Sequence, residues 1–354
     1  MRARAVIGAN FGDCGKGLMV DYLCVTQGAG MVVRFNGGAQ AGHTVVTPHG
    51  KRHVFSHFGA GTFDGVPTFL SQFFVCNPLL FFKELDHLHA LDVIPTVYAH
   101  PNCMVTTFAD MVINQRREDD RGDKRHGSVG VGMNETINRS QIPELTITMS
   151  DLWNGVNILD RLATACGKYA EFRTGKPIQN ADTMITAFAS TCAIFADQVH
   201  PLGIAQCKEP VFEGAQGLLL DQDNKEFFPH LTRSHTGMRN VLVLCEQAGI
   251  KDVEIYYVSR TYLTRHGAGP LPGEDEMLRF EDNTNVDHPY QGVIRFAPLD
   301  ANKLKARIAA DCKGAPHKLV LTHCDQMNAP CAADLYATGP TRSDVDAVTK
   351  GEIR

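Results

Sequence analysis

Residues 5–46 read AVIGANFGDCGKGLMVDYLCVTQGAGMVVRFNGGAQAGHTVV, and this stretch decides the fold. Its opening apolar run, Ala5–Ile7, predicts a short buried strand, and the glycine-rich residues 8–17 predict a turn. The apolar residues between Leu18 and Val25 indicate a helix, and Met31–Val33 indicates a second strand. A strand, a glycine turn, a helix and a second strand together form the unit that binds phosphate groups in α/β proteins.

The first glycine loop has the chemistry of an anion site. Glycines let successive backbone N–H groups converge on an anion, the helix N-terminus adds partial positive charge, and Lys16 adds a full charge. The loop is two residues longer than the usual GxxxxGK[ST] pattern and lacks the Ser or Thr that would hold magnesium. Asp13 is therefore the acid expected to face a metal ion, although a glycine turn with a surface lysine is the simpler alternative.

A second loop of small residues, Gly37–Thr44, leaves the second strand and carries His43. A lone histidine is more often structural than catalytic. However, two glycine loops that follow adjacent parallel strands are expected to face each other across one crevice. The sequence therefore predicts that Asp13 and His43 share a site.

Composition restricts the classes of function. With 354 residues, 44% of them hydrophobic, and no repeat or linker, we expect a single unit spanning residues 1–354. The formal net charge of −5 argues against nucleic acid or an anionic membrane as the main partner. No apolar run approaches the length of a membrane span. The eleven cysteines show no CxxC or metal-ligand spacing, so we expect reduced thiols, a cytoplasmic protein and no zinc site.

Further along the chain, the mixed-sign charged run 116–125 predicts a solvated loop, and it leads into a third glycine-rich loop, His126–Gly132. Three anion-compatible loops suggest more than one phosphorylated ligand. Residues 150–170 and 181–199 predict two helices, and Thr68–Leu70 predicts a strand near the sheet edge. Pro210–Glu213 predicts a strand that ends in the polar turn Gly214–Gly217, where active-site residues of α/β proteins usually lie.

The chain resembles the adenylosuccinate synthetase family, because two opening loops and six further motifs occur in the family's order between residues 7 and 340. The first and second loops resemble GDEGKGK and GGxNAGHT, and residues 127–132 lie where the family has GTTGxG. Residues 213–221 resemble EGAQGxLLD, 228–232 resemble YPYVT, and 264–272 resemble TRVGAGPFP. Residues 322–325 and 338–340 resemble TKxD and TGP. The resemblance implies an α/β fold with a large central, mostly parallel sheet flanked by helices.

The resemblance also implies a chemistry. In this family a nucleoside triphosphate phosphorylates the 6-oxo group of a purine nucleotide, and the amine of L-aspartate then displaces phosphate. Asp13 matches the general base at N1, and with the Gly42 carbonyl it matches the ligands of Mg²⁺. His43 matches the general acid, and Gln216 matches the residue that holds the purine O6 and N1 region.

The resemblance assigns further binding residues. Those for the phosphoryl donor are Gly12, Asp13, Cys14, Gly15, Lys16, Gly17, Gly42, His43, Thr44, Asp325, Gly339 and Pro340. Those for the acceptor nucleotide and aspartate are Asp13, Gln40, Ser128, Val129, Arg139, Gln216, Leu231, Thr232, His266, Gly292 and Arg295. Arg139 is the candidate for a phosphate-binding arginine that family members take from a neighbouring subunit, so the resemblance implies a homodimer.

Three departures from the family bear on specificity. Where the family has the aspartate-binding loop TTTGRRRR, this chain reads Asn283–Gln291 and then Gly292-Val293-Ile294-Arg295-Phe296. Arg295 aligns with the last arginine, but Val293 and Ile294 replace earlier ones, including a donor to the ribose 2′-hydroxyl. Cys14 replaces the glutamate of the first loop, and Ser128-Val129 replaces Thr-Thr in the third.

These departures resemble the phage branch of the family, which condenses aspartate with dGMP to N6-succino-2-amino-2′-deoxyadenylate, the precursor of 2-aminoadenine in viral DNA. That reading implies a location in the host cytoplasm. Some phage members carry Ser where this chain keeps Asp13, which favours the alternative, adenylosuccinate synthesis from IMP with GTP. Asp325 matches the residue that reads guanine in the donor, but His323 replaces the preceding lysine, so ATP or dATP is the expected donor and GTP the alternative.

A nucleotide-dependent switch is the rival from another class, because glycine loops, Lys16 and Asp325 would also suit a GTPase-like module. Such a switch predicts a Ser or Thr for magnesium after the loop lysine, and Gly17 stands there instead. It also leaves His43, Gln216 and Arg295 without a role.

Overall fold

The computed structural model of the chain describes residues 2–282, 284–285 and 291–347. Its strands are β1 (Arg2–Gly8), β2 (Met31–Arg34), β3 (His43–Val46), β4 (Arg52–Phe55), β5 (Thr68–Leu70), β6 (Val75–Cys76), β7 (Val97–Ala99), β8 (Met104–Val105), β9 (Val199–Pro201), β10 (Pro210–Glu213), β11 (Asp252–Arg260), β12 (Tyr262–His266), β13 (Ile294–Pro298), β14 (His317–Thr322), β15 (Leu335–Ala337) and β16 (Val345–Ala347). Its helices are α1 (Lys16–Gln27), α2 (Pro78–His89), α3 (Phe108–Arg121), α4 (Met133–Arg139), α5 (Met149–Trp153), α6 (Leu159–Thr164), α7 (Ala170–Thr174), α8 (Asp182–Gln198), α9 (Met238–Ala248) and α10 (Ala301–Cys312).

A ten-stranded sheet forms the centre of the structure, in the order β16-β15-β14-β11-β1-β10-β2-β5-β7-β9. Every neighbouring pair in it is parallel except β15 and β16. Smaller two-stranded sheets join β3 to β4, β6 to β8 and β12 to β13. The predicted large, mostly parallel sheet flanked by helices is therefore confirmed.

The sheet is covered on both faces, which explains why its central strand is an almost unbroken apolar run. Val6 of β1 packs with α1, α2 and α8 on one face. Ala5 and Ile7, which point the other way, pack with α9 and α10 on the opposite face. Because parallel strands need crossover connections, the helices that bury these faces also carry the chain from one strand to the next.

Local sequence determines several helix boundaries. Asn77 caps α2 by accepting from the N–H groups of Leu79 and Leu80, at 3.1 and 3.2 Å, with Pro78 at the first helical position. Thr107 and Asp110 form a capping box at the start of α3. None of the helices in the described residues combines the length and hydropathy needed to cross a membrane.

Three secondary-structure predictions were wrong. The charged run 116–125 was expected to be a loop, but α3 continues through Arg121 because Ile113, Asn114 and Glu118 give the helix one buried face. Residues 150–170 were expected to be one helix, but α5 ends at Trp153 and α6 begins at Leu159. Strand β5 was expected near the edge, but it lies between β2 and β7 inside the sheet.

All eleven cysteines are free thiols, and nine of them are buried, as the lack of paired spacing predicted. The prediction that residues 1–354 form a single unit stays a prediction.

Candidate active site

The segments that follow the parallel strands β1, β2, β10, β11 and β14 line one large cavity at a single edge of the sheet. Strand β10 lies between β1 and β2, so the two glycine loops meet across the turn that follows Glu213. The cavity volume is about 1310 Å³, above the ~300–1,000 Å³ of a site for one small molecule. It therefore has room for more than one ligand.

The first loop holds Asp13 in an uncommon backbone conformation, with φ of 49°. Arg260 of β11 donates through Nε to the Asp13 carbonyl, and Thr322 donates through Oγ1 to the Cys14 carbonyl at 3.0 Å. These bonds satisfy the loop's backbone while leaving the Asp13 carboxylate on the cavity wall. Lys16 follows at the start of α1 and is 4% exposed. The loop thus presents a carboxylate and an ammonium group to the same space.

Close packing between loops explains two of the glycines. A Cβ on Gly8 would lie 2.5 Å from the Gln216 carbonyl oxygen, and one on Gly17 would lie 2.6 Å from the Thr44 carbonyl oxygen. Only glycine lets the first loop approach the 214–217 turn and the second loop this closely.

His43 is held by Glu213, a pairing between β3 and the end of β10. His43 Nδ1 lies 2.6 Å from Glu213 Oε1, and Glu213 Oε2 accepts from the Ala60 N–H at 3.1 Å. Both side chains are buried, and the Arg34 guanidinium lies 3.9 Å from Glu213. The carboxylate therefore fixes the ring orientation and leaves Nε2 as the nitrogen available to the cavity.

The charge states of this pair follow from their burial. Burial lowers the pKa of His43 below its ordinary value; Glu213 opposes that shift, while Arg34 and Lys16 add to it. Burial would raise the pKa of Glu213, but His43 and Arg34 outweigh it and the pKa is lowered. The pair is then an ionised carboxylate with a neutral imidazole. An anionic phosphoryl group beside Nε2 would raise the pKa of His43 and favour the protonated ring.

Gln216 also has a positive φ, 61°, and lines the cavity opposite the first loop. Asn36 holds its turn in place, since its side chain accepts from the Ala215 N–H at 2.7 Å and donates to the Ala215 carbonyl at 3.1 Å. Gln40, on the second loop, has both amide atoms buried with no partner within the described residues. Unpaired buried amide groups on a cavity wall are suited to a polar ligand.

The third loop is held by Asn114 of α3. Asn114 Oδ1 accepts from the Ser128 hydroxyl at 2.9 Å and from the Gly132 N–H at 3.1 Å. The Ser128 hydroxyl also accepts from the Gly130 N–H at 3.2 Å. Ser128 and Val129 line the cavity, so the third loop borders the same space as the first two.

The far end of the cavity is lined by His323, Asp325, Gly339 and Pro340. The Thr322 hydroxyl donates its proton to the Cys14 carbonyl. His323 Nδ1 lies 2.9 Å from the same hydroxyl and must therefore donate to it. Burial, followed by the Arg260 charge, lowers the pKa of His323 to about 3. The ring is therefore neutral, and this corner lacks the positive charge that a lysine at position 323 would supply.

Arg260 links the first loop to Asp282. Besides the Asp13 carbonyl, it binds the Asp282 carboxylate at 2.6 Å and the Tyr262 hydroxyl at 3.1 Å. Burial would raise the pKa of Asp282, but Arg260 and the amide groups of Asn285 lower it to about 2. This buried ion pair fixes the backbone that carries Asp13.

Asp13 and Gly42 fit a magnesium site by their chemistry. Both line the cavity and offer oxygen atoms, a carboxylate and a backbone carbonyl, which are the ligands that Mg²⁺ prefers. The Asp13 carboxylate has no hydrogen bond or ion pair within the described residues, so it is available to a cation.

The structure brings most of the predicted site residues to this one cavity. They are Asp13, Cys14, Gly15, Lys16, Gly17, Gln40, Gly42, His43, Thr44, Ser128, Val129, Gln216, Leu231, Thr232, His266, Asp325, Gly339 and Pro340. Gly12 is not on the wall, because it packs against Gln216 behind the loop, where a Cβ would lie 3.4 Å from Gln216 Cα.

The structure corrects the prediction for Arg139. Its side chain is fully buried and bonds through Nε to Asp110 at 2.9 Å and through Nη2 to the Val105 carbonyl at 2.8 Å. The guanidinium is therefore engaged within its own chain, and Arg139 does not line the cavity.

The structure also corrects the prediction that Arg295 and Gly292 bind the acceptor nucleotide or aspartate. Arg295 lies off the cavity wall, paired with Glu274 at 2.7 Å and with the carbonyls of Gly267 and Gly269 at 2.7 and 2.6 Å. The Gly292 carbonyl is bound to the His266 ring at 2.9 Å. Both residues support the turn at 267–269. The remaining part of the predicted aspartate loop, residues 283 and 286–290, lies outside the described residues.

Sequence reasoning missed the residues that hold the reactive groups. Glu213 had a local signal, because it ends the strand that carries the Gly214–Gly217 turn. Arg34, Asn114 and Arg260 had none, since each acts on a loop far away in sequence.

The chain is similar in sequence to known proteins. The family model described as adenylosuccinate synthetase matches residues 5–293. Adenylosuccinate synthetase of Xylella fastidiosa strain M12 is 30% identical over 283 residues, and that of Alkalilimnicola ehrlichii is 29% identical over 295. These matches cover 76% and 77% of this chain but only 64% of each relative.

Solved structures share the fold. A fully ligated adenylosuccinate synthetase from Plasmodium falciparum has a TM-score of 0.78 at 16% identity, covering 99% of this chain and 100% of that one. Succinoaminodeoxyadenylate synthetase of cyanophage S-2L, bound to dGMP and to dATP as an energy donor, has a TM-score of 0.65 at 16% identity, covering 98% and 95%. These structures show a shared fold, and the family model, which matches more than half of the chain, shows that the chain belongs to the adenylosuccinate synthetase family.

Proposed function

We propose that the chain is a carbon–nitrogen ligase that joins L-aspartate to a purine nucleoside monophosphate at the expense of a nucleoside triphosphate. One observation carries the proposal: a carboxylate (Asp13), a clamped imidazole (His43) and an ammonium group (Lys16) line a single cavity with Gln216. A phosphate-binding switch would need Lys16 but has no use for a histidine locked by a buried carboxylate.

In the proposed reaction, Asp13 takes the N1 proton of the acceptor purine, and the 6-oxygen attacks the terminal phosphorus of the donor as the nucleoside diphosphate leaves. His43 donates from Nε2 to the phosphoryl oxygen on which charge accumulates. The aspartate amine then attacks C6 and releases one proton, while the C6–O bond breaks and phosphate leaves with the former 6-oxygen. Mg²⁺ held by Asp13 and Gly42 would offset the charge of the donor phosphates.

We propose dGMP as the acceptor. Within the described residues 291–295, no guanidinium faces the cavity, since Val293 and Ile294 are aliphatic and Arg295 is bound to Glu274. A ribose 2′-hydroxyl would therefore lose its solvent partners without gaining an arginine from this segment, whereas deoxyribose leaves no hydroxyl unpaired. The product would be N6-succino-2-amino-2′-deoxyadenylate, and the carrier of the gene would be a phage with 2-aminoadenine in its DNA.

Adenylosuccinate synthesis from IMP is the second candidate. It is favoured by the curated relatives at 29–30% identity, which are adenylosuccinate synthetases, and by the Asp13 that this chain shares with them.

We propose ATP or dATP as the donor, with GTP as the alternative. The support is the neutral His323 at the donor end of the cavity, which leaves Asp325 as the one charged group in that corner among the described residues 322–326 and 337–340. A single carboxylate without a neighbouring cation discriminates only weakly between guanine and adenine in the donor.

The deciding experiment is an acceptor and donor panel analysed by product mass. The purified chain is incubated with Mg²⁺, each of ATP, dATP and GTP, and each of dGMP, GMP, IMP and dIMP, with and without L-aspartate. The proposal expects a succino product from dGMP, formed with the largest kcat/KM and only when aspartate is present. A larger kcat/KM for IMP would establish the second candidate, and triphosphate hydrolysis independent of aspartate would support a switch instead.

A further inference from the structure

The proposed acceptor is a monophosphate, and its doubly charged 5′-phosphate needs a cation that is not already neutralised. Seven Lys and Arg residues line the cavity in the described part of the chain: Lys16, Arg52, Arg117, Arg121, Arg233, Arg260 and Arg265. Most are committed elsewhere. Arg117 pairs with Glu135 at 3.3 Å, Arg121 with Glu118, and Arg260 with Asp282.

The remaining cations differ in position. Arg265 is 2% exposed and donates to the carbonyls of Pro270 and His230, at 2.7 and 3.0 Å. Lys16 belongs to the first loop, and Arg52 on β4 donates to the Thr284 hydroxyl at 3.1 Å. Arg233 is bonded to the helix that follows the third glycine loop, and no carboxylate in the described residues pairs with it.

Two contacts join the segment 230–233 to the residues that flank that loop. Its Nη1 donates to the Asn138 side-chain oxygen on α4, the helix that begins directly after Gly132. Three residues earlier, His230 Nδ1 lies 3.3 Å from the His126 carbonyl oxygen at the other end of the loop. Residues 230–233 are thus joined to the start of the loop at His126 and, through Asn138, to the helix that follows the loop, and Arg233 follows Thr232 on the cavity wall.

We propose that Arg233 binds the 5′-phosphate of the acceptor nucleotide together with the third loop, and that it does so within its own chain. The inference rests on the proposed function. Asn138 uses one of the five N–H donors of the guanidinium and orients the rest, which can bind phosphate oxygens in a fork. Because Arg139 is enclosed by Asp110 and backbone carbonyls, Arg233 supplies the charge that a neighbouring subunit was expected to provide.

The test compares the dissociation constants of dGMP and deoxyguanosine by calorimetry, for the wild type, Arg233→Gln and Arg239→Gln. Arg239 is a matched control, because it is a nearby arginine, 68% exposed in its side chain, that pairs with Asp223 at 3.2 Å and is not on the cavity wall. The wild type and Arg239→Gln should bind dGMP about 10- to 100-fold more tightly than deoxyguanosine, and Arg233→Gln should lose that preference. Arg233→Lys should retain part of it.

The outcomes distinguish a wrong acceptor class from a wrong role for Arg233. If the wild type binds neither compound or does not distinguish them, the proposed acceptor class is overturned. If the wild type prefers dGMP and Arg233→Gln keeps the full preference while remaining folded by circular dichroism, the assignment of Arg233 is overturned and the function stands.

Mixing Asp13→Ala with Arg233→Gln tests action within one chain. Activity regained in the mixture would show that Arg233 serves a neighbouring subunit, whereas no recovery supports the assignment.

Discussion

Replacing Glu213 by Gln tests the link between fold and chemistry most directly. Glu213 is an ionised carboxylate whose Oε1 lies 2.6 Å from His43 Nδ1 and whose Oε2 accepts from the Ala60 N–H. Gln keeps the shape but removes the charge and replaces one acceptor by an N–H donor. The Gln oxygen can therefore accept from only one of the two donors, His43 Nδ1 or the Ala60 N–H. The Gln amide N–H then faces the other donor, or it forces His43 to carry its proton on Nε2 instead of Nδ1.

The size of the effect follows from the separation of the charges. With imidazolium and carboxylate charge centres about 4 Å apart and an effective dielectric constant of about 20, their attraction is about 4 kcal/mol. If His43 is protonated in the transition state, losing that attraction lowers kcat by roughly a thousandfold. Because the carboxylate raises the pKa of His43 in the wild type, its removal should also shift the limb of the pH–rate profile that reports protonated His43 to lower pH.

The assay is aspartate-dependent phosphate release with the acceptor and donor at saturation, measured across pH. Glu84→Gln is the matched control, since Glu84 is also a buried carboxylate that holds histidines, His53 at 3.5 Å and His57 at 3.4 Å, but it is not on the cavity wall. Both variants should lose stability, and only Glu213→Gln should lose turnover. Wild-type kcat in Glu213→Gln, or an equal loss in both variants, would refute the reasoning.

Three further predictions concern charges that the structure places elsewhere. Burial would raise the pKa of Glu84, but hydrogen bonds from His53 and His57 lower it from 4.5 to about 2, so its contribution to stability is present above pH 4.5 and is lost as the pH falls towards 2. Urea unfolding should show wild type more stable than Glu84→Gln by about 3 kcal/mol at pH 6, with the difference vanishing near pH 2; a difference independent of pH would contradict this. His323→Lys should place a cation at the donor end and raise kcat/KM for GTP relative to ATP by about 2- to 30-fold, measured in the donor panel, and an unchanged ratio would remove His323 from donor selection. Asp282→Asn should release Arg260 from its ion pair and so disturb the backbone of Asp13. We expect the Mg²⁺ concentration for half-maximal activity to rise about 10- to 100-fold. An unchanged Mg²⁺ dependence would show that the ion pair has no influence on Asp13.

The sequence by itself determined the local parts of this protein. The glycine loops, the apolar run of β1 and the Asn77-Pro78 helix start are all encoded by neighbouring residues, because backbone conformation and capping are decided within a few positions. The same locality explains why motif order sufficed to predict the fold class, and why most of the predicted binding residues line the cavity.

Only the tertiary structure decided which charges meet. Glu213 reaches His43 across 170 positions because β10 is placed between β1 and β2, and Arg260 reaches Asp13 because β11 lies on the other side of β1. Arg139 was the candidate that the family resemblance offered and is nevertheless enclosed, whereas Arg233 was not a candidate and lines the cavity. Burial and pairing depend on the packing of distant segments, and no local pattern in the sequence carries that information.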